Sequence, residues 1–217
     1  MNGRTKTALI LSGVACLALV GLLLFGLEMP AAIAKLIASR GFLLVAVFSG
    51  ALQSTYGKTL LAGLALAFLG DAFLIGESEQ AFLAGLSAFL LAHTAYIAAF
   101  LISGVNLRWV SAAAIPALVI AIAVLTWLAP HTPAELTWPV RLYTFVISIM
   151  VVTAIGTRGQ NASLLILTGA LLFFFSDLSV ASQRLLQTDF PHYVWGLPFY
   201  YAGQLCLALS VSQSRSH

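Results

Sequence analysis

Two aspartates stand where a carboxylate is hardest to keep. Asp71 lies in Phe68-Leu69-Gly70-Asp71, inside an apolar run from Leu60 to Ile75 that holds no other charge. Asp177 follows 106 residues later in Phe174-Phe175-Ser176-Asp177, in a similar apolar setting. An ionised carboxylate deep in a bilayer costs about 2.5–3.5 kcal/mol or more unless water or a partner meets it, so an intramembrane acid points to function by default. Cations are at hand in Lys35, Arg40 and Arg141, all within apolar surroundings. His93 and Tyr96 fall one turn apart, in helical step with Phe89 and Phe100. Tyr200 and Tyr201 precede Gln204 by four and three residues, so they share its side of a helix. A pair of carboxyl groups with cations, a histidine and hydroxyls nearby suits acid and base chemistry in which one carboxyl holds a proton and the other stays ionised.

Helices must position these groups. The chain has 217 residues, of which 61% are hydrophobic and 8% charged, with a mean hydropathy of +1.02. Soluble domains carry about 25% charged residues, so the composition specifies an all-α integral membrane protein. Spans of about 20 residues with short turns use up the length in eight helices. They are expected near 8–27, 31–52, 58–75, 80–102, 108–129, 138–156, 162–186 and 193–212. Turn residues or charges separate them, including Glu28-Met29-Pro30, Gly57-Lys58, Gly76 to Glu79, Pro130 to Pro133, Gly156 to Asn161 and Asp189-Phe190-Pro191. The apolar stretch after Arg4 and Lys6 is too long for a secretory leader and reads as an uncleaved first span. Cys16 and Cys206 both fall inside spans, which does not indicate a disulfide framework.

Arg4, Lys6, Lys58, Arg108, Arg158 and Arg215 fall on one side of this topology, and Arg184 near the other. The positive-inside rule then predicts both termini in the cytoplasm, in a bacterial inner membrane. The loop acids Glu28, Glu77, Glu79, Glu135 and Asp189 fall outside. By the rise of a helix, Asp71 and Asp177 each lie about 20 Å from the cytoplasmic end of their spans, in the outer half. Lys35 and Arg141 enter the outer half only about 5–6 Å deep, a depth that also suits snorkelling. The net charge of +3 reflects basic loops and implies no nucleic-acid partner. Sliding the chain by 106 aligns Lys35 with Arg141, Gly63 with Gly169, Phe68 with Phe174 and Asp71 with Asp177. One membrane domain built from two parallel four-helix repeats, 1–106 and 107–217, is expected, with the site at their interface.

Four ordered motifs carry a resemblance. Gly70-Asp71-x-x-Leu74, the stretch from Gly85-Leu86 through Ala92-His93-x-x-Tyr96 to Phe100, Gly169-Ala170 through Ser176-Asp177, and Tyr200-Tyr201-Ala202-Gly203-Gln204 together resemble the YhhN-like lysoplasmalogenases. Where that family commonly has Lys-Pro, this chain has Lys35-Leu36. The resemblance implies a membrane hydrolase acting on a lysophospholipid in the bilayer. It would cleave the sn-1 vinyl ether of lysoplasmalogen, giving a fatty aldehyde and glycerophospho-ethanolamine or -choline, with no cofactor and no metal. Carried over by position, Asp71 and Asp177 would be the acid/base pair. Lys35, Arg40 and Arg141 are expected to receive the phosphate, and His93, Tyr96, Tyr200, Tyr201 and Gln204 to line the substrate site. Three other readings fit the same residues: a small transporter with an intramembrane charged site, a metal-dependent hydrolase using His93, Asp71 and Asp177, and a scaffold whose polar groups join helices.

Overall fold

The computed structural model describes residues 1–160, 162–186 and 190–213. Asn161, Asp189 and Arg215, to which the sequence reading assigned turn or loop positions, lie outside the described residues. Eight long helices follow one another: α1 (Gly3–Leu24), α2 (Glu28–Phe48), α3 (Thr55–Phe73), α4 (Glu79–Ile102), α5 (Leu107–Leu128), α6 (Thr137–Gly156), α7 (Leu164–Leu185) and α8 (Tyr193–Gln213). No strand occurs among the described residues. All but α3 are long and apolar enough to cross a membrane. Within its 19 residues α3 carries Lys58 and Asp71, which dilute an otherwise apolar stretch. The chain is a multi-pass membrane protein.

The order of helices is the predicted one, and the ends show where the local chemistry differs. α1 starts at Gly3 rather than near residue 8, because Asn2 caps it by accepting from Thr5 N at 2.8 Å. Arg4 and Lys6 therefore sit in its first turns. The break between the second and third spans falls earlier than Gly57-Lys58. α2 stops at Phe48, and Gly50 takes a left-handed φ of 87°, which an L side chain resists. A short 3₁₀ turn over Ala51–Gln53 follows, and Ser54 caps α3 by accepting from Gly57 N at 3.0 Å. Lys58 is thus in the first turn of α3, and Asp71 lies two residues from that helix's end. Asp177 is eight residues from the end of α7, six residues farther from its helix end than Asp71.

The helices pair as hairpins, α1 with α2, α3 with α4, α5 with α6 and α7 with α8. Across the hairpins α2 meets α8 and α4 meets α6, so the centre is built from α2, α3, α4, α6, α7 and α8. α5 packs chiefly on α6 and buries only Ala113, Ala121 and Leu128. The outward leucines, isoleucines and valines of α1 and α5 face lipid. Lipid gives helices no hydrophobic drive to associate, so close packing must hold them. The fully buried side chains are Phe42, Leu60, Leu64, Tyr96, Phe100, Phe173, Tyr201 and Leu207, among others. Gly70 lets α3 approach α4 closely: a Cβ there would meet the Phe89 ring at 2.7 Å. The tight α3–α4 seam fixes the position of Asp71, the next residue.

Candidate active site

Asp71 is buried and surrounded by donors. Its Oδ2 accepts from Ser39 Oγ at 2.6 Å and from Tyr200 Oη at 2.7 Å. Lys35 Nζ stands 3.8 Å from Oδ1. Lys35 and Ser39 are one turn apart on α2, so they present their head groups to the same side, and Tyr200 arrives from α8. Tyr201 braces the α2 side: its hydroxyl donates to the Lys35 carbonyl at 3.1 Å and lies 3.0 Å from Ser39 Oγ. A carboxylate with one cation and two hydroxyl donors is held in place and has its charge compensated.

Asp177 has sparser company. Tyr143 of α6 donates to its Oδ2 at 2.7 Å. His93 Nε2 of α4 lies 3.6 Å away, beyond hydrogen-bond length. Among the described residues no lysine or arginine pairs with Asp177, and its side chain is 16% exposed against 4% for Asp71. The His93 ring is fully buried between Phe173 at 4.7 Å and Tyr143 at 5.2 Å. Phe173 in turn packs on Tyr200 at 5.3 Å, so a continuous aromatic wall joins the surroundings of the two acids. Next to His93, Tyr96 donates to Gln204 Oε1 at 2.8 Å, while Gln204 Nε2 has no hydrogen-bond partner among the described residues. Tyr96→Phe removes the last partner of a buried amide and is expected to cost about 1–3 kcal/mol. Thermal unfolding in detergent would read this loss.

Both acids line one cavity of about 600 Å³, to which every one of the eight helices contributes. It lies among the ends of α1, α3, α5 and α7 and the starts of α2, α4, α6 and α8. Lys35, Tyr143, Ser176 and Tyr200 line it together with Asp71 and Asp177. Most of the remaining wall is aliphatic or aromatic. Such a chamber suits a lipid chain joined to a polar reacting group. A second cavity, also of about 600 Å³, opens between α4 and α6 and shares Leu86 and Tyr143 with the first.

The structure gathers some of the residues singled out above and separates others. Lys35, Asp71, Asp177 and Tyr200 meet at the cavity. His93, Tyr96, Tyr201 and Gln204 are buried behind its wall. Arg40 is exposed on α2 and lines neither cavity. Arg141 is also exposed, stacks at 5.5 Å over Trp138 and faces the second cavity. Ser39 and Tyr143 touch the two carboxylates and were not singled out by sequence. Ser39 lies one turn beyond Lys35, and Tyr143 two residues beyond Arg141. Among the described residues no three His, Cys, Asp or Glu side chains form a set that could hold a metal ion.

Residues 31–211 match the family model described as YhhN family. The chain is 28% identical over 170 residues to the Bos taurus protein named lysoplasmalogenase TMEM86A, covering 72% of this chain and 66% of that one. It is 30% identical over 193 residues to the Sus scrofa protein named lysoplasmalogenase TMEM86B, covering 86% and 79%. Identity to the Homo sapiens lysoplasmalogenase TMEM86A is 29% over 171 residues, covering 72% and 66%. The chain thus spans a little under two thirds of the TMEM86A relatives' length and more of TMEM86B. No solved structure gives a significant match.

Proposed function

The chain belongs to the YhhN family, and from that premise we propose that it hydrolyses the sn-1 vinyl ether of lysoplasmalogen or a closely related lysolipid. The observation that carries the reading is the pair of unequal carboxyl groups on one apolar cavity. Vinyl ether hydrolysis begins with proton transfer to the β carbon. The π electrons form the new C–H bond, and the ether oxygen shares the positive charge left on the α carbon. Asp177, without a cation and more open to the cavity, is suited to give that proton. Asp71, beside Lys35, is suited to remain ionised, stabilise the oxocarbenium ion and take a proton from the attacking water. The hemiacetal then collapses. Its hydroxyl proton returns to Asp177, and the glycerol oxygen leaves with the proton held by Asp71. One water is consumed and both acids are restored. The same division of labour operates between the two carboxyls of glycosidases.

Tyr143 has a specific part in this scheme. When Asp177 gives up its proton it becomes a carboxylate, and the Tyr143 hydroxyl 2.7 Å away stabilises the new charge. A hydrogen bond to a charged group is worth about 1.5–3 kcal/mol, so Tyr143→Phe is expected to lower kcat about ten- to a hundredfold. KM should change little; steady-state aldehyde release separates the two.

The partners of the acids also support the two-repeat reading, 1–106 and 107–217. Asp71 takes Lys35 and Ser39 from the second helix of its own half and Tyr200 from the fourth helix of the other. Asp177 takes Tyr143 from the second helix of its own half and faces His93 on the fourth helix of the other. In the proposed topology Arg4, Lys6, Lys58, Arg108 and Arg158 mark the cytoplasmic ends of their helices in a bacterial inner membrane, so both termini are cytoplasmic. The cavity mouth then faces away from the cytoplasm.

The deciding experiment is purified protein in detergent, incubated with lysoplasmalogen and scored for free aldehyde. Product formation without a membrane supports a hydrolase and excludes a pure carrier. Well-folded protein that releases no aldehyde from lysoplasmalogens of either head group would reject the reading.

A further inference from the structure

The cavity has a charged mouth that the proposed chemistry does not use. Glu28 at the start of α2, Glu77 in the α3–α4 link and Arg184 in the last turn of α7 all line it. All three are exposed. Arg184 lies with its guanidinium 4.8 Å over the Phe82 ring. The ion pairs among the described residues are Lys35 with Asp71 and the His93–Asp177 approach, so Glu28, Glu77 and Arg184 have no charged partner there.

The cations divide accordingly. Of the three expected to receive a phosphate, Lys35 is committed to Asp71, and Arg40 and Arg141 stand outside this cavity. Among the described residues, Arg184 is the cation on the cavity wall with no carboxylate against it. The cation–π contact with Phe82 uses none of the guanidinium's N–H donors, which leaves them for a phosphate. Two uncompensated carboxylates at the same mouth repel a lipid that bears only negative charge. They attract one whose phosphate is followed by an ammonium group.

We propose that Arg184, Glu28 and Glu77 form a head-group subsite that binds the phosphate of a zwitterionic lysolipid through Arg184 and selects its ammonium group through the two glutamates. The proposal rests on the lysolipid reading of the cavity and adds specificity to it. A lysolipid ending in a bare phosphate meets the same arginine and is disfavoured by the carboxylates. The subsite sits at the polar end of the chamber, and Asp71 and Asp177 sit deeper, as an sn-1 chain passing inward requires.

Binding of non-hydrolysable sn-1 alkyl-ether lysolipids to the purified full chain tests this without turnover. The probes are alkyl lysophosphocholine, alkyl lysophosphoethanolamine and alkyl lysophosphatidate. Arg184→Gln is expected to weaken all three by about tenfold or more, and Arg184→Lys to recover part of that loss. Glu28→Gln combined with Glu77→Gln should weaken the two zwitterionic probes and strengthen the phosphatidate, cutting the selectivity ratio at least about tenfold. Unchanged affinity in Arg184→Gln, or an unchanged ratio in the double glutamate variant, overturns the subsite. The hydrolase reading fails separately. Arg184-dependent binding with no aldehyde from the vinyl-ether substrate would leave the subsite standing and remove the chemistry.

Discussion

Asp177→Asn and Asp71→Asn are both expected to abolish aldehyde release, and they should differ in what else they damage. An amide cannot supply a proton to carbon at a useful rate, so Asp177→Asn removes the proposed acid, an expected loss of about 10²–10⁴-fold where general acid catalysis carries the step. Its fold should survive, because the Asn carbonyl still accepts from Tyr143 and no buried cation is left without a partner. Asp71→Asn removes the negative charge that faces Lys35 at 3.8 Å and receives two hydroxyl donors. Breaking a buried ion pair from one side costs about 3–5 kcal/mol, and Lys35, with 15% of its side chain exposed, should show the lower part of that range. The double variant Lys35→Met with Asp71→Asn separates the two consequences. It is expected to regain most of the thermal stability, since no uncompensated charge remains, and to stay inactive, since nothing is left to stabilise the oxocarbenium ion. The measurements are aldehyde release per mole of monodisperse protein and unfolding temperature in the same detergent. Appreciable turnover in either single variant would remove that aspartate from the chemistry.

The sequence made the two acids legible for a physical reason. In an apolar span a carboxylate has no solvating neighbours, so each one present must have found its partners in three dimensions. The number and order of helices were legible for a related reason, because continuous apolar runs of about 20 residues cross lipid as helices, whereas barrel strands alternate apolar with polar residues. The turn after α2 was less visible, since Ala51 and Leu52 are as apolar as the span they follow. Arg40 and Arg141 show why depth is not placement. Successive helical residues turn by about 100°, so Arg40 points roughly 140° away from Lys35. The offset of 106 pairs Arg141 with Lys35, yet Tyr143 is the α6 residue that reaches Asp177. Trp138, one turn before Arg141, offers the guanidinium a ring outside the site. Ser39 gave almost no signal. A serine in a membrane helix commonly gives its proton to its own backbone, and Ser39 Oγ does lie 2.8 Å from the Lys35 carbonyl; only the fold shows that the same proton can go instead to Asp71 at 2.6 Å.

Gly203→Val is expected to be the most damaging substitution outside the acids. α7 and α8 are among the most closely packed helices, and they carry Asp177 and Tyr200. Their crossing depends on two facing glycines. A Cβ on Gly203 would stand 3.0 Å from the Gly169 carbonyl oxygen and 3.1 Å from Phe173 N, and one on Gly169 would stand 2.9 Å from the Gly203 carbonyl oxygen. Those atoms are backbone, which cannot rotate away as a side chain can. A branched side chain therefore has to push the helices apart, and helices in lipid have little beyond this packing to hold them. The displacement would carry Tyr200 from Asp71 and Phe173 from His93, so it reaches both halves of the site at once. Overpacking of this kind typically costs about 1–3 kcal/mol, and with no yielding neighbour the upper end is expected. Gly203→Val should lower the unfolding temperature markedly and reduce turnover at least as much as loss of the Tyr200 hydroxyl does in Tyr200→Phe. Gly203→Ala should fall between wild type and valine in both measurements. A valine variant with wild-type stability and turnover would mean that the seam between α7 and α8 has more room than these contacts allow.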